Sequence, residues 1–162
     1  MSHPTLNVLF VCEANSIRSI MAEAILNRFG GDRFTAFSAG FEPAAELHPL
    51  TVEMAQASGI GIGHLKPKSV REFTLASAPR MDFVIAMGKN PARALGGFPG
   101  NPMHAQWGIS DPLTTHGDLM LHRSAFRRAW QELETRIRLF VLLRHHSEPS
   151  KEILPLRQEQ SA

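Results

Sequence analysis

Cysteine is nearly absent from this chain, which has one such residue, Cys12, among its 162 residues. A single thiol excludes an intrachain disulfide framework and a zinc site built from several cysteines. Low cysteine usage is typical of proteins kept in a reducing compartment, and we therefore expect a cytoplasmic location. The eight histidines show no metal-ligand spacing, so no metal site is predicted from them.

Long hydrophobic runs and a strong net charge are missing as well. No apolar run reaches the roughly 18 residues that cross a bilayer, and no basic segment precedes the short apolar run near the N-terminus. We therefore expect neither a signal peptide nor a membrane span. The formal net charge of +2 is too small to indicate a nucleic-acid partner by itself, so any preference for anions must be local.

The sequence does contain a pattern of strands alternating with helices over residues 1–145. Short apolar segments typical of strands buried in a parallel sheet lie at 6–12 and 81–87. Further strands are predicted at 33–40 and, in a shorter form, at 103–112. Helical spacing runs from near Ile17 to Gly30, from near Pro49, and over 124–143. This alternation predicts one α/β domain with a doubly wound parallel sheet, followed by a flexible polar tail at 146–162.

Cys12 lies at the end of the first predicted strand, where a sheet of this kind places its ligands. The loop after it runs directly into a helix, and the N–H groups of such a loop, with the positive end of the helix, form a nest for an anion. Arg18, in the first helical turn, can hold two oxygens of a tetrahedral oxyanion through its planar guanidinium. The same positive field favours the thiolate of Cys12, a nucleophile. The alternative is that Cys12 is a buried cysteine beside a surface arginine and that neither residue takes part in a reaction.

The whole loop that follows Cys12 is therefore predicted to bind an oxyanion. Asn15 is among the few residues besides glycine that tolerate left-handed backbone angles, which a tight cradle requires. Ser19 carries a hydroxyl that can donate to the sulfur of Cys12. The predicted substrate-binding residues are Glu13, Ala14, Asn15, Ser16, Ile17, Arg18 and Ser19.

The stretch "CEANSIRS" resembles the Cys-x5-Arg-Ser/Thr loop of the low-molecular-weight protein tyrosine phosphatases and of the arsenate reductases that share their fold. Further matches follow in order: "MAEAIL" at 21–26, "SAG" at 38–40, and the pair Asp111 and Pro112. The resemblance covers residues 5–143 and implies a single four-stranded, flavodoxin-like sheet of the low-molecular-weight phosphatase type. It also implies that Asp111 is the general acid, with a simple Asp-Pro turn as the alternative.

Two departures from that family narrow the prediction. The segments "QWGISDP" and "AFRRAWQELETRIRLF" resemble the arsenate reductases in particular, yet "VIAMGKNPARALGGFPG" lacks the two relay cysteines of the thioredoxin-coupled members. An internal disulfide relay is therefore excluded. The phosphatases place aromatic residues, often tyrosine, after the Asp-Pro pair, whereas this chain continues "DPLTTHGD" and contains no tyrosine. These residues do not favour a phosphotyrosine pocket.

The sequence thus predicts an arsenate reductase in which Cys12 attacks arsenate and an external thiol, such as glutathione, glutaredoxin or mycothiol, completes the reduction. One alternative is a phosphatase that hydrolyses a phosphate ester through a phospho-Cys12 intermediate. Another is a catalytically silent oxyanion-binding module. The presence of Cys12, Arg18 and Asp111 together argues against the silent module, since binding alone needs neither a nucleophile nor an acid. No tightly bound cofactor, nucleic acid or membrane is expected as a partner.

The resemblance also raises a potassium site beside the loop. Glu23 and Ser38 match positions that help bind this ion in some arsenate reductases. The alternative is a carboxylate on a helix surface and a hydroxyl at the end of a strand.

Overall fold

The computed structural model describes residues 3–88 and 96–146. Within these ranges the strands are β1 (Leu6–Cys12), β2 (Phe34–Gly40), β3 (Phe83–Met87) and β4 (Met103–Trp107). The α-helices are α1 (Arg18–Phe29), α2 (Pro49–Ala57) and α3 (Leu119–His146), and short 3₁₀ segments lie at Gly31–Arg33, Val70–Phe73 and Pro112–Thr114. All strand pairs are parallel, in the order β2-β1-β3-β4. The predicted four-stranded, doubly wound sheet is confirmed.

β1 lies at the centre of the sheet, and its last five residues are buried. Because successive side chains of a strand point to opposite faces, Val8, Phe10 and Cys12 join the core that includes residues of α1 and α3. Leu9 and Val11 join a smaller core on the other face. Each large side chain buried in this way contributes about 1.5–3 kcal/mol. Packing on both faces therefore fixes the end of β1 and, with it, the backbone of Cys12.

α3 begins earlier than the predicted 124. The helix starts at Leu119 because Oδ1 of Asp118 accepts a hydrogen bond from the Leu121 N–H (3.0 Å), which is the contact of a helix N-cap. The predicted flexible tail at 146–162 lies outside the described residues, apart from residue 146, where α3 ends. In the described ranges, no helix combines the length and the apolar composition needed to cross a membrane.

The fourth strand is shorter than predicted and ends at Trp107 instead of residue 112. Beyond it, the carbonyl of Ile109 accepts a hydrogen bond from Nη1 of Arg18 (3.2 Å), so this backbone faces the Cys12 loop. The chain then enters the 3₁₀ segment that starts at Pro112. β4 is an edge strand, and most of its residues are exposed.

His48 caps α2. Its Nδ1 accepts a hydrogen bond from the Leu50 N–H (3.1 Å), and its ring lies 4.8 Å from the ring of Phe126, centroid to centroid. Burial lowers the pKa of His48, and the nearby His122 lowers it further. Only the neutral imidazole can accept at Nδ1, so protonation removes the cap.

We expect this cap to make stability depend on pH. The pKa of His48 is lower in the folded state than in the unfolded state, so the stability that His48 contributes is present above the ordinary pKa of 6.5. That stability is lost as the pH falls from 6.5 through the lower pKa of the folded state. His48→Asn keeps a capping oxygen that does not titrate, so its thermal unfolding should depend less on pH below 6.5 than that of the wild type. His48→Ala should cost about 1 kcal/mol at pH values above that range.

The matched control for His48 is His116→Asn, the same substitution at an exposed histidine. This control should retain the pH dependence of the wild type. Equal pH dependence in His48→Asn and the wild type would contradict the assignment.

Candidate active site

The loop between β1 and α1 turns at Asn15, whose φ of 48° lies in the left-handed region. Asn15 is fully buried, and its amide is used at both ends. Nδ2 donates to Oγ of Ser19 (2.8 Å), and Oδ1 accepts from the backbone N–H of Lys68 (2.9 Å). The side chain therefore holds its own strained backbone in place, as the sequence predicts for a cradle.

Cys12 contacts Ser19 at the base of this loop. Sγ of Cys12 lies 2.8 Å from Oγ of Ser19, and both residues are buried. Because Oγ already accepts a hydrogen bond from Asn15, the hydroxyl proton of Ser19 is available to the sulfur. A donor aimed at sulfur stabilises a thiolate, which accepts but cannot donate.

The carbonyl groups of the loop are turned towards the segment after β2. The carbonyls of Cys12, Glu13, Ala14 and Ser16 accept hydrogen bonds of 2.9–3.2 Å from backbone N–H groups within residues 41–48. A nest needs the N–H groups of a loop, and not its carbonyls, to face the anion, so these hydrogen bonds support a nest at this loop.

Gly40 allows this segment to approach the loop. A β-carbon placed on Gly40 would lie 2.7 Å from the Glu13 carbonyl oxygen and 2.9 Å from the backbone nitrogen of Asn15, so only glycine fits. The close contact with the loop therefore explains the glycine at the end of the matching segment "SAG".

Arg18 and Asp111 meet across the mouth of the loop. Nη2 of Arg18 lies 3.5 Å from Oδ2 of Asp111, and the side chain of Asp111 is about a third exposed. Oδ1 of Asp111 accepts from the Leu113 N–H (2.9 Å) and caps the following 3₁₀ segment. Asp111 is therefore a turn starter as well as a carboxylate at the site.

One pocket of about 400 Å³ brings the three predicted catalytic residues together. Cys12, Arg18 and Asp111 all line it, and so does Glu13. The other predicted loop residues, Ala14, Asn15, Ser16, Ile17 and Ser19, do not line the pocket, and all but Ala14 are buried, so they shape the loop from behind. The sequence analysis missed the other lining residues, among them Phe41, Met87 and Gly88, which lie at or directly after the carboxyl ends of β2 and β3. The sequence feature that could have identified these three residues is their position at or directly after the end of a strand.

Glu23 and Ser38 lie beside the loop, but their surroundings do not fit a potassium ion. Glu23 is buried, so its interpretation as a helix-surface carboxylate is wrong, and it accepts a hydrogen bond from Ser38. Nζ of Lys68 lies 3.6 Å from Oε2 of Glu23 and 3.4 Å from Oγ of Ser38. An ammonium group thus already lies against both oxygens. Burial raises the pKa of Glu23, while Lys68 and then Ser38 act in the opposite direction.

In the described parts of the chain, no group of three or more His, Cys, Asp or Glu residues is arranged to hold a metal ion.

Comparison with known proteins places the chain in a family. Residues 7–151 match the family model described as low molecular weight phosphotyrosine protein phosphatase. The chain belongs to this family. Its relatives are arsenate reductases and phosphatases, and this member of the low-molecular-weight phosphatase family is an enzyme as they are.

Relatives of both activities match this chain at 25–30% identity. An arsenate reductase of Halalkalibacterium halodurans is 30% identical over 134 residues, which are 83% of this chain and 94% of the relative. A thioredoxin-dependent arsenate reductase of Corynebacterium glutamicum has a TM-score of 0.65 and 27% identity, and the match covers 89% of this chain but 65% of that one. A low-molecular-weight protein tyrosine phosphatase of T. tengcongensis has a TM-score of 0.59 and 25% identity, covering 87% and 99% of the two chains.

Arg18→Lys tests the oxyanion cradle of this family member. Lysine keeps the charge but loses the planar pair of donors, and a hydrogen bond to a charged group is worth about 1.5–3 kcal/mol. We expect the phosphate concentration that half-protects Cys12 from iodoacetamide to rise about tenfold or more. Alkylation is read by intact-protein mass, since Cys12 is the only thiol.

Arg138→Lys, on the solvent face of α3, is the control for Arg18 and should behave as the wild type. Unchanged protection in Arg18→Lys would mean that the guanidinium does not hold the anion.

Proposed function

We propose that this protein is an arsenate reductase in which the Cys12 thiolate attacks arsenate held by residues 12–19, and in which an external cytoplasmic thiol completes the reduction. The observation that carries the proposal is the pocket that joins Cys12, Arg18 and Asp111 in a chain with no second cysteine. The arsenate reductases among its relatives support the choice of arsenate.

The first step forms a bond between Sγ of Cys12 and arsenic. Arg18 and the loop amides bind the oxygens that stay, where negative charge is concentrated. The As–O bond to the arsenate hydroxyl opposite the sulfur breaks, and this hydroxyl takes a proton from the Asp111 carboxyl and leaves as water. Asp111 is placed for this at the mouth of the pocket, 3.5 Å from the guanidinium of Arg18.

The second step reduces arsenic and needs a thiol from solution. Attack of an external thiolate on Sγ of Cys12 forms a mixed disulfide, breaks the S–As bond and leaves its electron pair on arsenic, which departs as arsenite. A second thiol then releases Cys12 and forms a free disulfide. Because the chain has no other cysteine, it cannot pass the oxidation to an internal disulfide.

The pocket has room for such a thiol. Gly88, with φ of 147°, lines it beside Met87, and even a β-carbon placed there would stay 4.0 Å from Nη1 of Arg18. Glutathione, mycothiol or the exposed thiol of a glutaredoxin is therefore the reductant that we propose.

Hydrolysis of a phosphate ester is the second candidate, and a specific feature favours it. Phe41 lines the pocket next to Cys12, and an aromatic wall suits an aryl leaving group. Asp111 would then protonate the departing alcohol, and water would release phosphate from phospho-Cys12.

Arsenate turnover separates the two candidates. We expect arsenite formation to require added glutathione with glutaredoxin, or mycothiol, and not to be supported by thioredoxin alone. Asp111→Asn should lower the rate about 10²-fold or more, because a positioned general acid is typically worth that much. Asp118→Asn, which alters a capping carboxylate outside the pocket, is the matched control and should keep most of the activity.

The result that would overturn this proposal is brisk hydrolysis of an aryl phosphate, lost in Asp111→Asn, while no thiol system supports arsenite formation. The phosphatase would then be the function of the site.

A further inference from the structure

Lys68 is tied to the end of β2 through its backbone. The N–H of Gly40 donates to the carbonyl of Lys68 (2.9 Å), and Gly40 forms a parallel bridge with Ser69. Gly40 is also the residue against which the Cys12 loop packs. The segment around Lys68 is therefore held in register with that loop.

The side chain of Lys68 turns inward to a buried carboxylate. Its Nζ lies 3.6 Å from Oε2 of Glu23, 3.4 Å from Oγ of Ser38 and 3.4 Å from the carbonyl of Lys66. The side chain of Glu23 is only 8% exposed. A buried carboxylate is costly unless a positive charge accompanies it, and the oxygens around this ammonium are those that a hard cation takes.

A chain of hydrogen bonds joins Lys68 to the sulfur of Cys12. The backbone N–H of Lys68 donates to Asn15, Asn15 donates to Ser19, and Ser19 lies 2.8 Å from Sγ of Cys12. Asn15 holds the left-handed turn of the loop. A shift of Lys68 away from Glu23 would therefore change the position of Asn15 and, through Ser19, the surroundings of the sulfur.

We propose that Lys68 is a positioning residue for the Cys12 loop, whose ammonium takes the place of a bound monovalent cation beside Glu23 and Ser38. The anion affinity of this enzyme then needs no potassium. The proposal rests on the proposed function only in treating Cys12 as the nucleophile, and it is independent of whether arsenate or a phosphate ester is the substrate.

Removal of the ammonium leaves Glu23 with two ways to avoid an unpaired charge. Its carboxyl can bind a proton, since burial already raises its pKa, or it can take a cation from solution. His64, which is exposed and lies in the same segment of chain, also acts to lower the pKa of Glu23. Potassium from solution should therefore take the place of the ammonium group that a substitution of Lys68 removes.

Lys68→Met is the variant of choice, because it removes the charge and leaves the backbone N–H to Asn15 in place. The experiment measures the thermal midpoint and the concentration of inorganic phosphate that half-protects Cys12 from iodoacetamide. Both are recorded in KCl and in tetramethylammonium chloride at equal ionic strength, so that non-specific screening cancels.

For the wild type we expect no difference between the two salts. In tetramethylammonium chloride, Lys68→Met should need about tenfold more phosphate than the wild type for half-protection of Cys12, as expected when a charged contact is lost. In KCl, the phosphate concentration for half-protection should return most of the way to that of the wild type. Lys66→Met, at an exposed neighbouring lysine, is the control and should match the wild type in both salts. Lys68→Arg keeps the charge and should also be insensitive to potassium.

Three results would overturn the proposal. They are a wild type that responds to potassium as the variant does, a Lys68→Met protein with the phosphate protection of Lys66→Met, and a loss that KCl fails to restore. If Lys68→Met does not fold in tetramethylammonium chloride, folding on addition of KCl supports the proposal, and a potassium requirement in Lys68→Arg contradicts it. Phosphate protection involves no arsenate turnover, so failure of the reductase assay leaves this test intact.

Discussion

The left-handed turn at Asn15 is the constraint on which the site depends. It reverses the backbone between the end of β1 and the start of α1, and the buried amide of Asn15 stabilises it with one hydrogen bond to Ser19 and one from the backbone of Lys68. Through Ser19 the same side chain controls what the sulfur of Cys12 contacts. A backbone conformation that L-amino acids rarely adopt is thus fixed by the same side chain that contacts Ser19 and, through it, the proposed nucleophile.

The positive charge at this site comes from groups close to the pocket and not from the net charge of the molecule. The formal net charge of +2 is small, yet Arg18, the first residue of α1, lines the pocket, and the loop carbonyls are held against the segment after β2. Asp111 adds a carboxylate at the mouth, 3.5 Å from Nη2 of Arg18. In the proposed function, oriented amides and one guanidinium bind a small tetrahedral anion by geometry, and such binding needs no positively charged surface.

The fold and the first residues of the site were predictable from the sequence because their signals are local. Cys12 is the last residue of β1 and Arg18 the first of α1, where a parallel sheet collects its ligands, whereas Asp111 was predicted from the resemblance of its Asp-Pro pair to that of the family. Lys68 was not predictable, because it is 53 residues from Asn15 along the chain and lies in a polar segment typical of exposed surface. The burial of Glu23 was missed for a related reason, since α1 is covered on several sides and a single helix pattern shows only one.

The central claim is that Cys12 carries the substrate and then the reductant. Acid quenching of the enzyme during turnover with arsenate and glutathione, followed by peptide mass mapping, tests this directly, because each bound species changes the mass of the one cysteine-containing peptide. The account predicts glutathione in disulfide linkage to Cys12 that appears only when arsenate is present. Arsenite formation with Cys12 unmodified at every time of quenching, or undiminished in Cys12→Ser, would contradict it.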